Sequence, residues 1–107
     1  MTVLSSSASV PTQNGSKYLQ QLCKHWQHNL TVVFTADHGT VTFPKDARGA
    51  DYPGEGLATF EARPTTLEVR IDASSGEQLE ALKGAVARHL DRFAFREAPL
   101  RFDWQAT

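Results

Sequence analysis

The residues able to do chemistry in this chain are few, and many of them sit together. The stretch "YLQQLCKHWQHN", Tyr18 to Asn29, holds the single cysteine, Cys23, with Lys24, Trp26 and two of the four histidines, His25 and His28. On a helix, His25 and His28 lie three residues and about 60° apart, so both imidazoles can face one object. Two imidazoles on one face hold a divalent metal when further ligands converge on them. Asp37, His38 and His89 are the candidates to do so. None stands at a diagnostic spacing, since the paired histidines of helical zinc proteases are four residues apart with a glutamate between them. The plainer reading places His25 beside Tyr18 and leaves His28 in solvent beside Lys24. Cys23 is two residues from His25, about 200° around the axis, which disfavours a thiolate–imidazole pair within the helix. A buried structural thiol beside Leu19 and Trp26 is expected instead.

The second concentration is "RHLDRFAFRE". Arg88, Arg92 and Arg96 recur every fourth residue and form a basic ridge, with Asp91 and Glu97 near enough to offset it. The ridge reads either as a solvated helix face or as an anion contact. His89 lies between the apolar stripe and the wet face of the same helix, fit for a hydrogen bond to a strand carbonyl or for lining a pocket. No serine triad, nucleotide loop or paired zinc cysteines occur. "GADYPGEG" lacks the lysine of a phosphate-binding loop and does not join a strand to a helix. Asp46, Asp51 and Glu55 match no calcium-loop spacing. Tyr52 is an aromatic contact candidate at a loop tip.

The elements that must position these residues follow from hydrophobic periodicity. "SSSASVPT" (5–12) reads as a short first strand or an arm, ended by Pro11. Asn14 or Ser16 caps a helix running to about Asn29, with Leu19, Leu22, Trp26 and Leu30 on one face and Tyr18 and Cys23 on its shoulders. "LTVVFTA" (30–36) and "TVTF" (40–43) predict a hairpin around "DHG", with Gly39 free to take a positive φ. "PKDARGADYPGEG" (44–56) is the one long loop, of the kind that is functional or mobile. "LATFEA" (57–62) and "TLEVRIDA" (66–73) predict a second hairpin, with Leu67, Val69 and Ile71 on one face and Glu68 and Arg70 on the other. Ser74 with Glu77, or Ser75 with Gln78, forms a capping box. The helix behind it carries Leu79, Leu82, Val86, Leu90 and Phe93 on its inner face, and Pro99 marks its stop. "LRFDW" (100–104) alternates as a last strand. The order is (β)-α-β-β-β-β-α-β: an α+β fold, with two helices packed on one face of an antiparallel sheet. A ferredoxin-like sandwich fits less well because this chain has extra strands.

The 107 residues make one domain, 1–107, with 1–6 a candidate flexible arm. A hydrophobic content of 40% is globular rather than disordered. Net charge is −1 with opposite charges interspersed, which argues against a nucleic-acid partner. One cysteine cannot form an internal disulfide. The start lacks the basic and apolar regions of a signal peptide, and no run approaches the roughly 18 apolar residues of a membrane span. A cytoplasmic protein with no membrane partner is expected.

Both concentrations resemble the signatures of a small bacterial family designated domain of unknown function 2218. Its opening helix has the form YLxxLCKHxxHK, met here by Tyr18, Leu19, Leu22, Cys23, Lys24, His25 and His28, with Asn29 where lysine is usual. Its closing helix has the form HLxRFAFRE before a strand ending in Trp, met by His89, Leu90, Arg92, Phe93, Ala94, Phe95, Arg96, Glu97 and Trp104. The likeness runs from about Ser7 onward. The resemblance implies no established activity. Related domains occur alone or beside siderophore-interacting, flavin-reductase-like proteins, which links the family to iron acquisition by association.

Three functional readings stand. The first is a binding or accessory module for an iron-siderophore or other anionic ligand, with Lys24, His25, His28, His89, Arg92 and Arg96 as candidate ligand contacts. Its partner would be a siderophore-interacting protein. The second is a metal-dependent or acid–base enzyme built on His25, His28 and His89; no cofactor is assigned, and the balance leans toward a non-enzyme. The third is a structural module that pairs with itself as a homodimer, predicting a paired edge strand or an exposed apolar patch.

Overall fold

The computed structural model describes residues 4–46 and 49–107. Eight elements follow in order: β1 Leu4–Pro11, α1 Gly15–Trp26, β2 Thr31–Phe34, β3 His38–Phe43, β4 Gly56–Ala62, β5 Thr66–Ala73, α2 Gly76–Phe93 and β6 Gln105–Ala106. The strands form one six-stranded sheet in the order β2-β3-β4-β5-β1-β6, antiparallel throughout. This is the expected α+β architecture and element order. Residues 4–6 of the candidate arm lie in β1, paired with β5, and 1–3 fall outside the described residues.

Alternation along the strands decides which face is covered. Leu67, Val69 and Ile71 of β5, Ala58 and Phe60 of β4, Val41 and Phe43 of β3 and Ala8 and Val10 of β1 all turn to one side and are buried. The opposite side carries Ser5, Ser7, Ser9, Thr59, Glu68, Arg70 and Asp72, in a register that places Ser9 beside Glu68 and Ser5 beside Asp72. Both helices cover the apolar face. α1 lies over β2 to β5, α2 over β1, β4 and β5, and the two touch. Leu19 and Leu22 of α1 meet Val86 and Leu90 of α2 in the same fully buried core. Each such leucine contributes about 1.5–3 kcal/mol by leaving water. Among the described residues, no helix is long and apolar enough to cross a membrane.

Several local expectations are revised. α1 stops at Trp26 rather than Asn29, and 27–29 form a turn closed by Leu30 N–H donating to the Trp26 carbonyl at 2.8 Å. Asn14 is the N-cap, but its side chain gives the helix no hydrogen bond. α2 uses the Ser75 register: the Ser75 hydroxyl accepts from Gln78 N–H at 3.1 Å. Gly39 lies inside β3, and among the described residues the positive-φ glycine is Gly49 (φ 78°). Gly39 serves close packing instead, since a Cβ there would stand 2.9 Å from Cys23 Sγ. The last strand lies not at 100–104 but just beyond it, at Gln105–Ala106 against Ser6–Ser7. Residues 100–104 keep the expected alternation, with Leu100, Phe102 and Trp104 turned inward, but they join no ladder. Alternation reports an apolar side; it does not supply a backbone partner.

Candidate functional site

α1 ends on Trp26 because the apolar stripe of Leu19, Leu22 and Trp26 reaches the rim of the core there. The indole meets Phe43, the last residue of β3, edge to face at 5.2 Å between centroids. On its other side it meets the His89 imidazole at 4.8 Å. α2 supplies His89 from the flank of its buried stripe. His89 Nδ1 lies 2.7 Å from the Ala85 carbonyl, one turn back on the same helix. The backbone acceptor is therefore helical, not the strand carbonyl expected from sequence. A carbonyl oxygen only accepts, so Nδ1 carries a proton and donates it.

Beside this aromatic group lies a cleft of about 740 Å³. Trp26, Leu30, Phe43 and Leu82 form its floor, Ala81, Ala85, Arg88 and His89 its α2 wall, and Pro44, Gly49, Ala50 and Tyr52 of the long loop its other wall. The loop wall is tied down. Tyr52 N–H donates to the Lys45 carbonyl at 3.0 Å. The Gly54 carbonyl accepts from Gln78 Nε2 at 3.0 Å, and Gln78 is itself buried in α2. Gly56 lets β4 pass close to α2, since a Cβ there would come within 2.5 Å of Leu82 Cδ1. The cleft is apolar within and carries the Arg88 guanidinium and the His89 imidazole on one wall, with Glu80 at the end of that wall paired to Lys83 at 3.0 Å. Such a site favours an apolar or aromatic body bearing negative charge.

The structure brings together some of the expected site residues and separates others. His25 and His89 meet, with ring centroids 5.6 Å apart, and His25 also packs on Phe93 at 5.8 Å. His28 sits exposed in the turn after α1 and makes no ring contact with either among the described residues. No group of three or more His, Cys, Asp or Glu among the described residues is placed to share a metal ion. Lys24 is exposed and lines a shallow groove with Lys17, Gln20 and Gln21, apart from the His89 cleft. Arg92 and Arg96 are exposed, and Arg96 lies over the Phe95 ring at 5.7 Å. Cys23 is fully buried, and burial pushes its thiol up to about 11.

Sequence reasoning passed over three features. Trp26 reads only as core, although its outer edge floors the cleft. Arg88 reads as one of a ridge, yet it alone of the three arginines reaches the cleft. Glu97 reads as a surface counter-charge. In the structure it is a junction, accepting from the Tyr18 hydroxyl, from Thr12 Oγ1 at 2.9 Å and from Asn14 Nδ2 at 3.0 Å. These bonds, that from Tyr18 foremost, hold the Glu97 carboxyl below the usual carboxylate range. The sequence signal was available in principle: Asn14 and Thr12 flank a helix start whose cap has no other duty.

Comparison with known proteins agrees with this architecture. An NMR structure of PA4090 from Pseudomonas aeruginosa is similar over 95% of each chain, at 25% identity and a TM-score of 0.72. No curated protein matches the chain. The family described as "Uncharacterized protein conserved in bacteria (DUF2218)" matches residues 7–105. With nearly the whole chain inside that match, the protein belongs to the bacterial DUF2218 family.

Proposed function

We propose that this domain is a small-molecule binding module and that its ligand lies in the cleft between Trp26, Tyr52 and α2. The observation that carries the reading is the composition of that cleft. Aromatic rings floor it and Arg88 and His89 line one wall, in a volume of about 740 Å³, within the range of small-molecule sites. A planar anionic ligand suits these walls, its rings against Trp26 or Tyr52 and its charge toward Arg88. A ferric catecholate siderophore is the specific member of that class to test, because the family resemblance associates these domains with siderophore-interacting proteins. The partner in that reading is such a protein, in the cytoplasm.

The test uses the Trp104→Phe variant, which leaves Trp26 as the sole indole. Titration with 2,3-dihydroxybenzoate and with its ferric complex is expected to quench Trp26 saturably. Arg88→Ala should weaken the response at least about tenfold, as for loss of a charge-assisted contact. Quenching that is absent, or unchanged in Arg88→Ala and His89→Gln, removes the cleft as the site.

A second reading, self-association, is favoured by one observation at the edge of the sheet. β2 is an outer strand with neither charge nor proline, and Val33 on it is 69% exposed. Edges of this kind are normally guarded against pairing. Sedimentation of the wild type against Val33→Lys separates the cases: a dimer that becomes a monomer supports β2 pairing, and a monomer in both excludes it.

A further inference from the structure

We infer that the corner where α2 ends, made by Arg92, Phe95 and Arg96, docks an acidic peptide segment of a partner protein. The inference is independent of the cleft. The α2 residues of the cleft are Ala81, Leu82, Ala85, Arg88 and His89, with Glu80 at its end, while the corner begins at Arg92 and continues past the helix.

The first support is that the fold leaves two arginines without an ion-pair partner among the described residues. By sequence, Asp91 and Glu97 offset the arginines. In the structure both acids keep their charge but direct their carboxylate oxygens to neutral donors, and neither forms an ion pair with a described arginine. Asp91 Oδ1 accepts the Leu100 backbone N–H at 2.8 Å. Glu97 accepts from Tyr18, Thr12 and Asn14. The ion pairs among the described residues are Arg63–Glu61, Arg70–Asp72, Lys83–Glu80 and Arg101–Asp103. Arg92 and Arg96 belong to none of them, and neither donates a hydrogen bond to another described residue.

The second support is Phe95. It is 71% exposed, in a chain whose other phenylalanines are all buried or half-buried. Backbone bonds from Glu97 N–H and Ala98 N–H to the Ala94 carbonyl, at 2.8 and 2.9 Å, wind one further turn beyond α2. Arg96 lies over the Phe95 ring at 5.7 Å, and Arg92 stands exposed in the last turn of α2, just ahead of them in the chain. An exposed aromatic between two unpaired arginines combines the residue types enriched at protein interfaces. Guanidinium forks match carboxylates in pairs. The fitting partner is thus a short acidic segment carrying one bulky apolar side chain.

The scale of the patch selects this occupant. Nucleic-acid affinity comes from many phosphate contacts and a basic domain, and this chain has net charge −1. Recognition of anionic lipid calls on larger lysine and arginine clusters.

The experiment is fluorescence anisotropy of a labelled peptide of glutamates around one leucine and one phenylalanine, at low ionic strength, against the full chain. Saturable binding is expected, weakening as salt is raised. Arg92→Glu/Arg96→Glu should lower affinity at least about tenfold and Phe95→Ser at least about threefold. Arg92→Lys/Arg96→Lys keeps the charge without the fork and should fall between wild type and the glutamate variant. Arg101→Glu, on an arginine already paired with Asp103, should leave affinity unchanged. Circular dichroism establishes that each variant is folded, and the lysine variant carries the test if charge reversal unfolds the chain. No saturable binding, or equal binding by wild type and variants, overturns the inference. So does binding of phosphatidylglycerol vesicles or single-stranded oligothymidine by a protein that ignores the peptide.

Discussion

The Tyr18 hydroxyl donates to the Glu97 carboxylate across 79 residues of sequence, joining the first turn of α1 to the chain just beyond α2. Tyr18 is buried and Glu97 is exposed, so the contact sits where core meets solvent. Its titration follows from the two shifts. Hydrogen bonds from Tyr18, Asn14 and Thr12 depress the Glu97 pKa below 4.5. A group depressed in the folded state adds stability above its unfolded pKa and loses it as pH falls through the folded one. The hydrogen bond to Glu97, with burial, raises the Tyr18 pKa above 10.0, so the tyrosine's share is present below pH 10 and lost above it. Wild type should therefore lose stability below about pH 4.5 more steeply than Glu97→Gln. Tyr18→Phe should cost about 1 kcal/mol near neutrality. Urea midpoints from pH 3 to 7 decide the matter; parallel curves for wild type and Glu97→Gln would show that the carboxylate is not held by this contact.

Gly39 exists for Cys23. A methyl at Gly39 would meet Cys23 Sγ at 2.9 Å, Phe34 Cβ at 3.2 Å and Leu19 Cδ2 at 3.5 Å. The first is too short for the fold to absorb without movement. Gly39→Ala should destabilise by about 1–3 kcal/mol, the usual range for overpacking. In a Cys23→Ala background the sulfur is gone, and the same change should cost less. The expected coupling between the two substitutions is at least about 0.5 kcal/mol. An equal cost in both backgrounds would place the strain elsewhere.

The fold was legible where one residue's side preference repeats, and illegible where a backbone or side chain needs a distant partner. Leu67, Val69 and Ile71 against Glu68 and Arg70 announce a strand with one wet face, and β5 spans the predicted residues. Leu82, Val86 and Leu90 likewise announce α2. The segment 100–104 alternates as clearly, yet a ladder needs a free strand beside it, and β1 offers only Ser6 and Ser7 at that edge. Gly39 carries the ambiguity of all glycines: sequence shows that a side chain is missing, and not whether φ or a neighbour requires it. The site was legible in part. His25 and His89 converge because their helices pack flank to flank, which their positions beside the apolar stripes foreshadow. The Lys24 groove and the His28 turn lie elsewhere because a rotation of about 100° per residue carries neighbours to different faces. Glu97 and Gln78 were opaque, since their partners come from other elements.

The Cys23 thiol should be unreactive in the native protein. It is fully buried and its pKa stands at about 11, so little thiolate forms near neutrality and reagent cannot reach it. At pH 8, Ellman's reagent should label it only through opening of the core, at a rate that rises with urea in step with unfolding. Complete labelling within seconds in native buffer would mean that α1 lifts from β3 far more easily than its packing suggests.

Gln78 should govern the cleft from outside it. It is 1% exposed inside α2. Its Oε1 accepts from Ser74 N–H at 2.7 Å and lies 2.6 Å from Ser74 Oγ, while its Nε2 donates to the Gly54 carbonyl. One amide thus fastens the start of α2 to the end of the loop that carries Tyr52. Gln78→Leu keeps the volume but strands the Ser74 N–H and weakens the hold on Gly54, at an expected cost of about 2–4 kcal/mol. Global loss alone would be uninformative, so the local readout is the Tyr52 amide, which donates to the Lys45 carbonyl within the loop. An amide that exchanges through local opening does not follow global stability. Its exchange should quicken at least about tenfold in Gln78→Leu if Gln78 anchors the loop. The Val69 amide, in the central strand β5, should follow global stability alone. Ligand affinity in the cleft should fall with the Tyr52 change and stay constant in Glu77→Gln, an exposed α2 residue that neither lines the cleft nor holds the loop. A Tyr52 amide that exchanges no faster would mean that the loop wall is held by its own contacts. Cleft affinity would then be set by Trp26, Arg88 and His89 alone.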